Sequence, residues 1–332
     1  MEEPIAQLFD PVRAARYLQK HAPDFVRQHS LSSLAITPIK RDVGNGAYHV
    51  VIRFDAPSLK DKPLFCSAHS EEDRKNAFWA LAFIRARAAR DSGAYIPEPL
   101  FYDSELQAFF YRGIDGKTLL QLVDEQCSDL DEHVAHIAEW IARLHEIDTT
   151  GAENFNPKNS RIKTTIPGPD YFLKKIENKF SEFKSPISSC FNELVARETE
   201  SIKTLDRQYI IHGDFHPENT IIGDGGVVSI IDFTDICLAD WARDVGSFIQ
   251  QLGFMSIGRQ DSEKTTISQQ RFLDAYLHSR SLKPTAAMLA RIHTYAAWAA
   301  LRSAVFFLTK GYPEPENAQA VLRDVTYYIN KL

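Results

Sequence analysis

The stretch Ile211-His212-Gly213-Asp214-Phe215-His216-Pro217-Glu218-Asn219-Thr220 sets an aspartate and an asparagine in a D-x-x-x-x-N spacing, and Ile230-Ile231-Asp232-Phe233 follows closely. One carboxylate can take or orient the proton of an attacking hydroxyl. An amide oxygen and a second carboxylate can hold magnesium. Those are the groups an in-line phosphoryl transfer needs. Between the two halves, Asn219-Thr220-Ile221-Ile222 and Val227-Val228-Ser229-Ile230-Ile231 are β-branched runs separated by Gly223-Asp224-Gly225-Gly226. The Asp-Gly and Gly-Gly steps favour the positive-φ turns of a tight hairpin. Such a hairpin would fold Asp232 back toward Asn219, and two oxygen donors from adjacent strands suit hard, octahedral Mg²⁺.

Competing chemistries fit less well. His212 and His216 stand at i and i+4, but Gly213 and Pro217 break the helix that a zinc pair of that spacing requires. Gly113-Ile114-Asp115-Gly116-Lys117-Thr118 ends like a phosphate loop, yet the first glycine of that motif would fall at Tyr111. No G-x-S-x-G elbow is present. Trp298, Arg302 and Phe306 form a helical stripe that serves core packing or lines a pocket, packing being the simpler reading.

The elements that must position these residues change character along the chain. Pro11 to Gln28 is amphipathic and helical, and strand-like runs follow at 34–39, 48–54, 63–67, 98–102 and 108–111. Ser70 with the acids after it marks a helix start, as does Asp129 with Glu132. Beyond Gly113 the periodicity is mainly helical, with amphipathic stretches at 171–183 and 187–202 and three helices from Ser268 onward. The expected organisation is therefore a β-rich lobe over residues 1–113 with a leading helix, and a larger, mainly helical lobe over 114–332.

A chain of 332 residues with 44% hydrophobic and 25% charged residues can bury a substantial core. Its formal net charge of -6 disfavours nucleic acid and anionic membranes as partners. Four dispersed cysteines without a CxxC pair suit a reducing compartment. The longest apolar tract, 286–308, is broken by Arg291, His293 and Arg302, so it reads as a buried helix. With an acidic start and no apolar leader, a cytoplasmic protein is expected.

The catalytic stretch, the IIDF segment and Ala239-Asp240-Trp241-Ala242-Arg243-Asp244-Val245-Gly246 together resemble the aminoglycoside phosphotransferase and choline kinase-like family. The resemblance runs from about Leu34 onward and is most specific in the catalytic half. It implies an α+β, bilobal protein kinase-like fold and an enzyme that moves the γ-phosphate of ATP to a hydroxyl of a small molecule. It implies Asp214 as the catalytic residue, Asn219 and Asp232 as Mg²⁺ ligands, and His212 and Asp244 as braces of the catalytic loop. Tyr111-Arg112-Gly113 resembles the family's hinge, whose backbone would hold adenine between the lobes, and Ala142-Arg143-Leu144-His145 its helix ending in Leu-His. The glycine turn Gly44-Asn45-Gly46 would lie over the phosphates.

The third strand departs from the family. Where a phosphate-gripping lysine is expected, Cys66 and Ser67 stand. Arg53, Lys62, Arg74 or Lys75 must then substitute, with Arg53 preferred because it lies on the strand beneath the glycine turn. A pseudokinase that binds nucleotide or a partner without turnover is the alternative this departure raises.

Overall fold

The computed structural model describes residues 4–44, 47–60, 62–88, 94–152, 155–165, 168–177 and 179–331. Helices α1 (Pro11–His21) and α2 (Pro23–Gln28) lead into strands β1 (Ala35–Gly44), β2 (Ala47–Asp55) and β3 (Leu64–His69). Helix α3 (Lys75–Arg87) and strands β4 (Ala94–Tyr95), β5 (Glu98–Asp103), β6 (Ala108–Arg112) and β7 (Lys117–Thr118) come next. Then follow α4 (Leu119–Asp124), α5 (Leu130–Glu146), α6 (Pro169–Ile176), α7 (Ser181–Ser201) and strands β8 (Tyr209–Ile211), β9 (Thr220–Ile222), β10 (Val228–Ile230) and β11 (Cys237–Ala239). Helices α8 (Ala242–Met255), α9 (Ser262–Ser279), α10 (Ala286–Thr309) and α11 (Pro315–Asn330) complete the chain.

These elements divide into two units, Met1–Lys117 with Ile221–Thr234, and Thr118–Thr220 with Asp235–Leu332. The segment Ile221–Thr234, with β10 and all but the first residue of β9, belongs to the first unit. In that unit β1, β2, β3, β6 and β5 form one antiparallel sheet in this order. Alternate residues face inward: Val50, Ile52 and Phe54 on β2, Leu64, Cys66 and Ala68 on β3. Ile5, Leu8 and Leu18 belong to the same core. Tyr17 of α1 donates a hydrogen bond to Asp103 at the end of β5, which also accepts from the backbone N–H of Glu105 and Leu106. The predicted hairpin turn forms, with Gly225 and Gly226 at φ 69° and 76°, and β10 pairs in parallel with β4.

Three local expectations are corrected. The single helix over 11–28 is two helices, because Pro23 starts a new one and its ring nitrogen has no proton to continue the first. Ser70 is no helix cap: its hydroxyl accepts from the N–H of Tyr48 at 2.9 Å, and the helix begins only at Lys75. Asp129 precedes α5 but makes no side-chain cap bond. The capping box lies earlier, between Thr118 and Gln121 at the start of α4.

In the second unit α10 packs against α7, α8 and α11, while α5 packs against α9. Gly246 of α8 lies against the backbone of α10. A Cβ there would stand 2.3 Å from the carbonyl oxygen of Ile292 and 2.8 Å from the nitrogen of Ala296. This contact sets α8, and with it the acid on its first turn, against the rest of the unit.

Candidate active site

In the second unit, β8 and β11 pair antiparallel, with Ile211 opposite Cys237, and deliver the catalytic stretch. Asp244, fully buried on the first turn of α8, accepts hydrogen bonds from the N–H of His212 at 2.7 Å and of Gly213 at 2.9 Å. A third bond reaches it from His145 Nε2 at 3.1 Å. Burial alone would raise the Asp244 pKa. The bond and charge of His145, the charge of His212 and the Gly213 N–H outweigh it and hold the carboxyl below the ordinary range. Burial pushes the His145 pKa down despite Asp244. An ionised carboxylate only accepts, so Nε2 of a neutral His145 carries the proton and Nδ1 accepts from the Tyr276 hydroxyl at 2.8 Å.

Gly213 has φ +85°, and a Cβ there would lie 2.3 Å from the carbonyl oxygen of Asp235. Both facts demand glycine beside Asp214. Phe215 anchors the loop from beneath, stacked on Phe248 at 4.7 Å.

Asp214 stands between two basic groups. Its Oδ2 is 3.4 Å from His216 Nε2 and its Oδ1 is 3.7 Å from Arg302 Nη1. The side chain keeps 38% of its surface exposed, enough to meet a ligand. Burial opposes ionisation, but the hydrogen bond and charge of His216, then Arg302 and His212, hold the carboxyl well below the usual range. Asn219 donates through Nδ2 to the Asp214 carbonyl and approaches His216 Nε2, both at 3.0 Å. With one amide proton engaged on the Asp214 carbonyl, Asn219 has its carbonyl oxygen to offer a cation.

In the first unit, Asp232 is exposed and has φ 61°, a left-handed conformation that costs a non-glycine residue energy and marks functional loops. Thr234 Oγ1 donates to Asp232 Oδ1 at 2.6 Å, and Arg74 Nη1 donates to Thr234 Oγ1 at 2.6 Å. Arg74 is only 3% exposed; its Nη2 lies 3.3 Å from His49 Nε2 and its Nη1 3.3 Å from Glu72. Burial, with the positive charges of Lys40 and Arg74, pushes His49 down to about 4, so the neutral ring accepts from the guanidinium. The remaining carboxylate oxygen of Asp232 and the amide oxygen of Asn219 are hard donors of the kind Mg²⁺ takes. Among the described residues no group of three His, Cys, Asp or Glu side chains could hold a metal ion.

A model of the phosphotransferase enzyme family matches residues 36–285. The chain belongs to that family. The choline kinase from Cryptosporidium parvum Iowa II is similar in structure, with a TM-score of 0.64 at 12% identity over 97% of this chain and 96% of that one. A Plasmodium vivax ethanolamine kinase gives 0.61 at 14% identity, covering 96% of this chain and 88% of its own. A spectinomycin phosphotransferase solved with ADP and spectinomycin gives 0.54 at 14% identity, covering 93% and 92%. At such identities the likeness shows the fold, the expected α+β protein kinase-like one. No curated protein matches the sequence.

The residues this phosphotransferase was expected to turn toward nucleotide are placed less simply than the catalytic stretch. Gly46 lies outside the described residues, and Gly44 ends β1 with open space around it. Tyr111 lies in the sheet, opposite Phe65 on β3 and Pro99 on β5. The Gly113 N–H donates to the carbonyl of Pro63 at 3.1 Å, so that donor is already used.

Arg53, the preferred substitute for the missing lysine, is already ion-paired. Its guanidinium contacts Asp115 at 2.7 and 3.1 Å and Asp55 at 2.9 and 3.0 Å, a charge already matched twice. Arg74 is the cation tied to the Asp232 loop, and it arrives from the turn after β3 rather than from a strand.

Sequence reasoning also passed over Arg302 as a neighbour of Asp214. The Trp298–Arg302 stripe lines a cleft, while Phe306 of the same stripe is 60% exposed. The Leu-His ending at 144–145 was noticed, but not its bond to Asp244. No helix among the described residues is long and apolar enough to cross a membrane.

Proposed function

We propose that this protein is an ATP-dependent phosphotransferase that moves the γ-phosphate to a hydroxyl of a small molecule. The observation that carries the reading is Asp214: an accessible, ionised carboxylate on a loop fixed from below by Asp244, five residues from a histidine-linked Asn219. As an anion it accepts the hydroxyl's hydrogen bond and aims the oxygen lone pair, and in a loose transition state positioning matters more than basicity. Asn219 and Asp232 are the residues that would hold Mg²⁺, which when bound would neutralise the charge developing on the phosphate oxygens. Nucleotide thermal shift with and without Mg²⁺, followed by ADP release over a panel of hydroxylated small molecules, tests the whole. Metal-dependent nucleotide binding with no turnover on any acceptor would favour the pseudokinase.

The β3 strand without a lysine is the feature that favours that second reading, and Arg74 answers it. Through Thr234 it positions Asp232, and it places a cation beside the metal loop. Arg74→Ala is expected to raise KM for Mg·ATP about tenfold, the ~1.4 kcal/mol of one charge-assisted contact, with the acceptor KM little changed. An unchanged nucleotide KM would leave Arg74 as packing only. Asp232→Ala should weaken Mg·ATP binding in calorimetry while sparing metal-free adenosine. Equal loss of both ligands would mean that Asp232 supports the fold and not the metal.

A further inference from the structure

Within the first unit, the carboxylate of Asp232 is not free to turn. Thr234 Oγ1 lies 2.6 Å from Asp232 Oδ1 and 2.6 Å from Arg74 Nη1. A guanidinium only donates, so the Arg74 N–H takes the hydroxyl oxygen and the one hydroxyl proton is sent to Asp232. The chain Arg74–Thr234–Asp232 therefore has a fixed direction. Its inner end is anchored: Arg74 is buried and held at 3.3 Å by both His49 Nε2 and Glu72. The backbone is held as well. Asp232 sits at φ 61°, a narrow basin for a residue with a Cβ, and Phe233 beside it is buried.

The consequence is a carboxylate that presents its two oxygens unequally. Oδ1 takes the Thr234 proton, and Oδ2 is the oxygen left to a cation. Divalent ions differ in what they make of such a group. Mg²⁺ takes six ligands at about 2.0–2.1 Å, keeps several waters, and is satisfied by one oxygen from a carboxylate. Ca²⁺ takes about six to eight oxygens at about 2.3–2.6 Å, often gripping both oxygens of one carboxylate. A carboxylate with one oxygen committed and its backbone fixed suits the first ion and not the second, since ligand number and flexibility decide between them.

Resting on the phosphotransferase reading, with Asp232 as metal ligand, we propose that Thr234 is the positioning residue that makes the site select Mg²⁺ over Ca²⁺. Its hydroxyl withholds Oδ1 and restricts Asp232 to a single donor oxygen. Arg74, by occupying the hydroxyl oxygen, keeps the proton aimed at the carboxylate. The selectivity thus lies in a side chain that does not itself touch the metal.

The test reads ADP affinity of the full chain by titration calorimetry without metal, with Mg²⁺, and with Ca²⁺ at the same saturating concentration. In the wild type Mg²⁺ is expected to tighten ADP about tenfold more than Ca²⁺ does. Thr234→Val keeps the side-chain shape and deletes the hydroxyl. It should lose about tenfold of the Mg²⁺ effect, the usual result of removing a group that orients a metal ligand, with the Ca²⁺ effect unchanged or larger. Thr234→Ala is a second hydroxyl-free variant, Thr234→Ser should restore the wild-type ratio, and circular dichroism checks the folding of each. No Mg²⁺ preference in the wild type, equal losses with both ions, or a serine variant that behaves like valine would overturn the proposal. Lost discrimination in the hydroxyl-free variants, with no ADP release on any acceptor, would uphold Thr234 and overturn the phosphotransferase reading instead. Transfer to an acceptor with a Mg²⁺-to-Ca²⁺ ratio indifferent to Thr234 would do the reverse.

Discussion

Asp214→Asn is expected to lower kcat by about 10²-fold or more while nucleotide affinity stays within a factor of two or so. The substitution keeps the shape of the side chain and removes its charge. What is lost is an anion that accepts the acceptor's hydroxyl proton and holds the oxygen in line with the phosphorus. The two basic neighbours make the effect larger than simple removal of a base would. His216 and Arg302 hold the carboxyl ionised across the physiological range, so the wild-type group is always in its working form. In the variant, an amide N–H directed at the hydroxyl would misalign the attacking lone pair. Single-turnover ADP formation separates this chemical step from binding, and titration calorimetry with Mg·ADP reports the nucleotide. A kcat within threefold of wild type would remove Asp214 from the role.

What the sequence made legible, and what it did not, follows from how far each signal reaches along the chain. Asp214, Asn219 and Asp232 could be picked out because their spacing, and the glycine turn that separates them, are local. The alternation on β2 and β3 was equally local, and those strands form within a residue or two of their predicted positions. Arg74 was only one name among four. Its role depends on the path of the turn after β3, where Ser70 spends its hydroxyl on Tyr48 and the helix starts late. Arg53 looked suited by strand position alone, but Asp115, 62 residues away, claims it. Arg302 reaches Asp214 through tertiary packing of α10, and a helical stripe of apolar and basic residues looks the same whether it faces a core or a cleft. Gly213 could have been argued further from sequence. A glycine between a histidine and a catalytic aspartate already hints at a positive φ, and the clash with Asp235 explains it.

Asp244→Ala is expected to destabilise the second unit by about 3–5 kcal/mol, the usual consequence of removing one partner from a buried charged network. For a chain of this size that corresponds to a fall in Tm on the order of 10 °C. The side chain is fully buried and accepts from two backbone N–H groups and from His145, so its removal strands three donors where water cannot replace it. The same network predicts how stability responds to acid. Asp244 has a folded pKa below its ordinary value, so its contribution is complete above the unfolded carboxylate value and is lost only as pH falls through the folded one. His145 acts earlier. Its folded pKa is depressed from 6.5, so as pH drops below about that value the unfolded chain binds a proton the folded chain refuses, and stability declines. Urea midpoints at pH 7 and pH 5.5 should therefore differ in the wild type, and His145→Gln should remove part of the difference. A Tm for Asp244→Ala within 2 °C of wild type, or a pH slope untouched by His145→Gln, would mean that the catalytic loop is held by Gly213 and the Phe215 stack alone. If the brace holds as described, Asp244→Asn should be milder than alanine, since its amide oxygen can still accept where Oδ2 takes His212 N–H and His145 Nε2–H, while its NH₂ group replaces the acceptor of the Gly213 N–H.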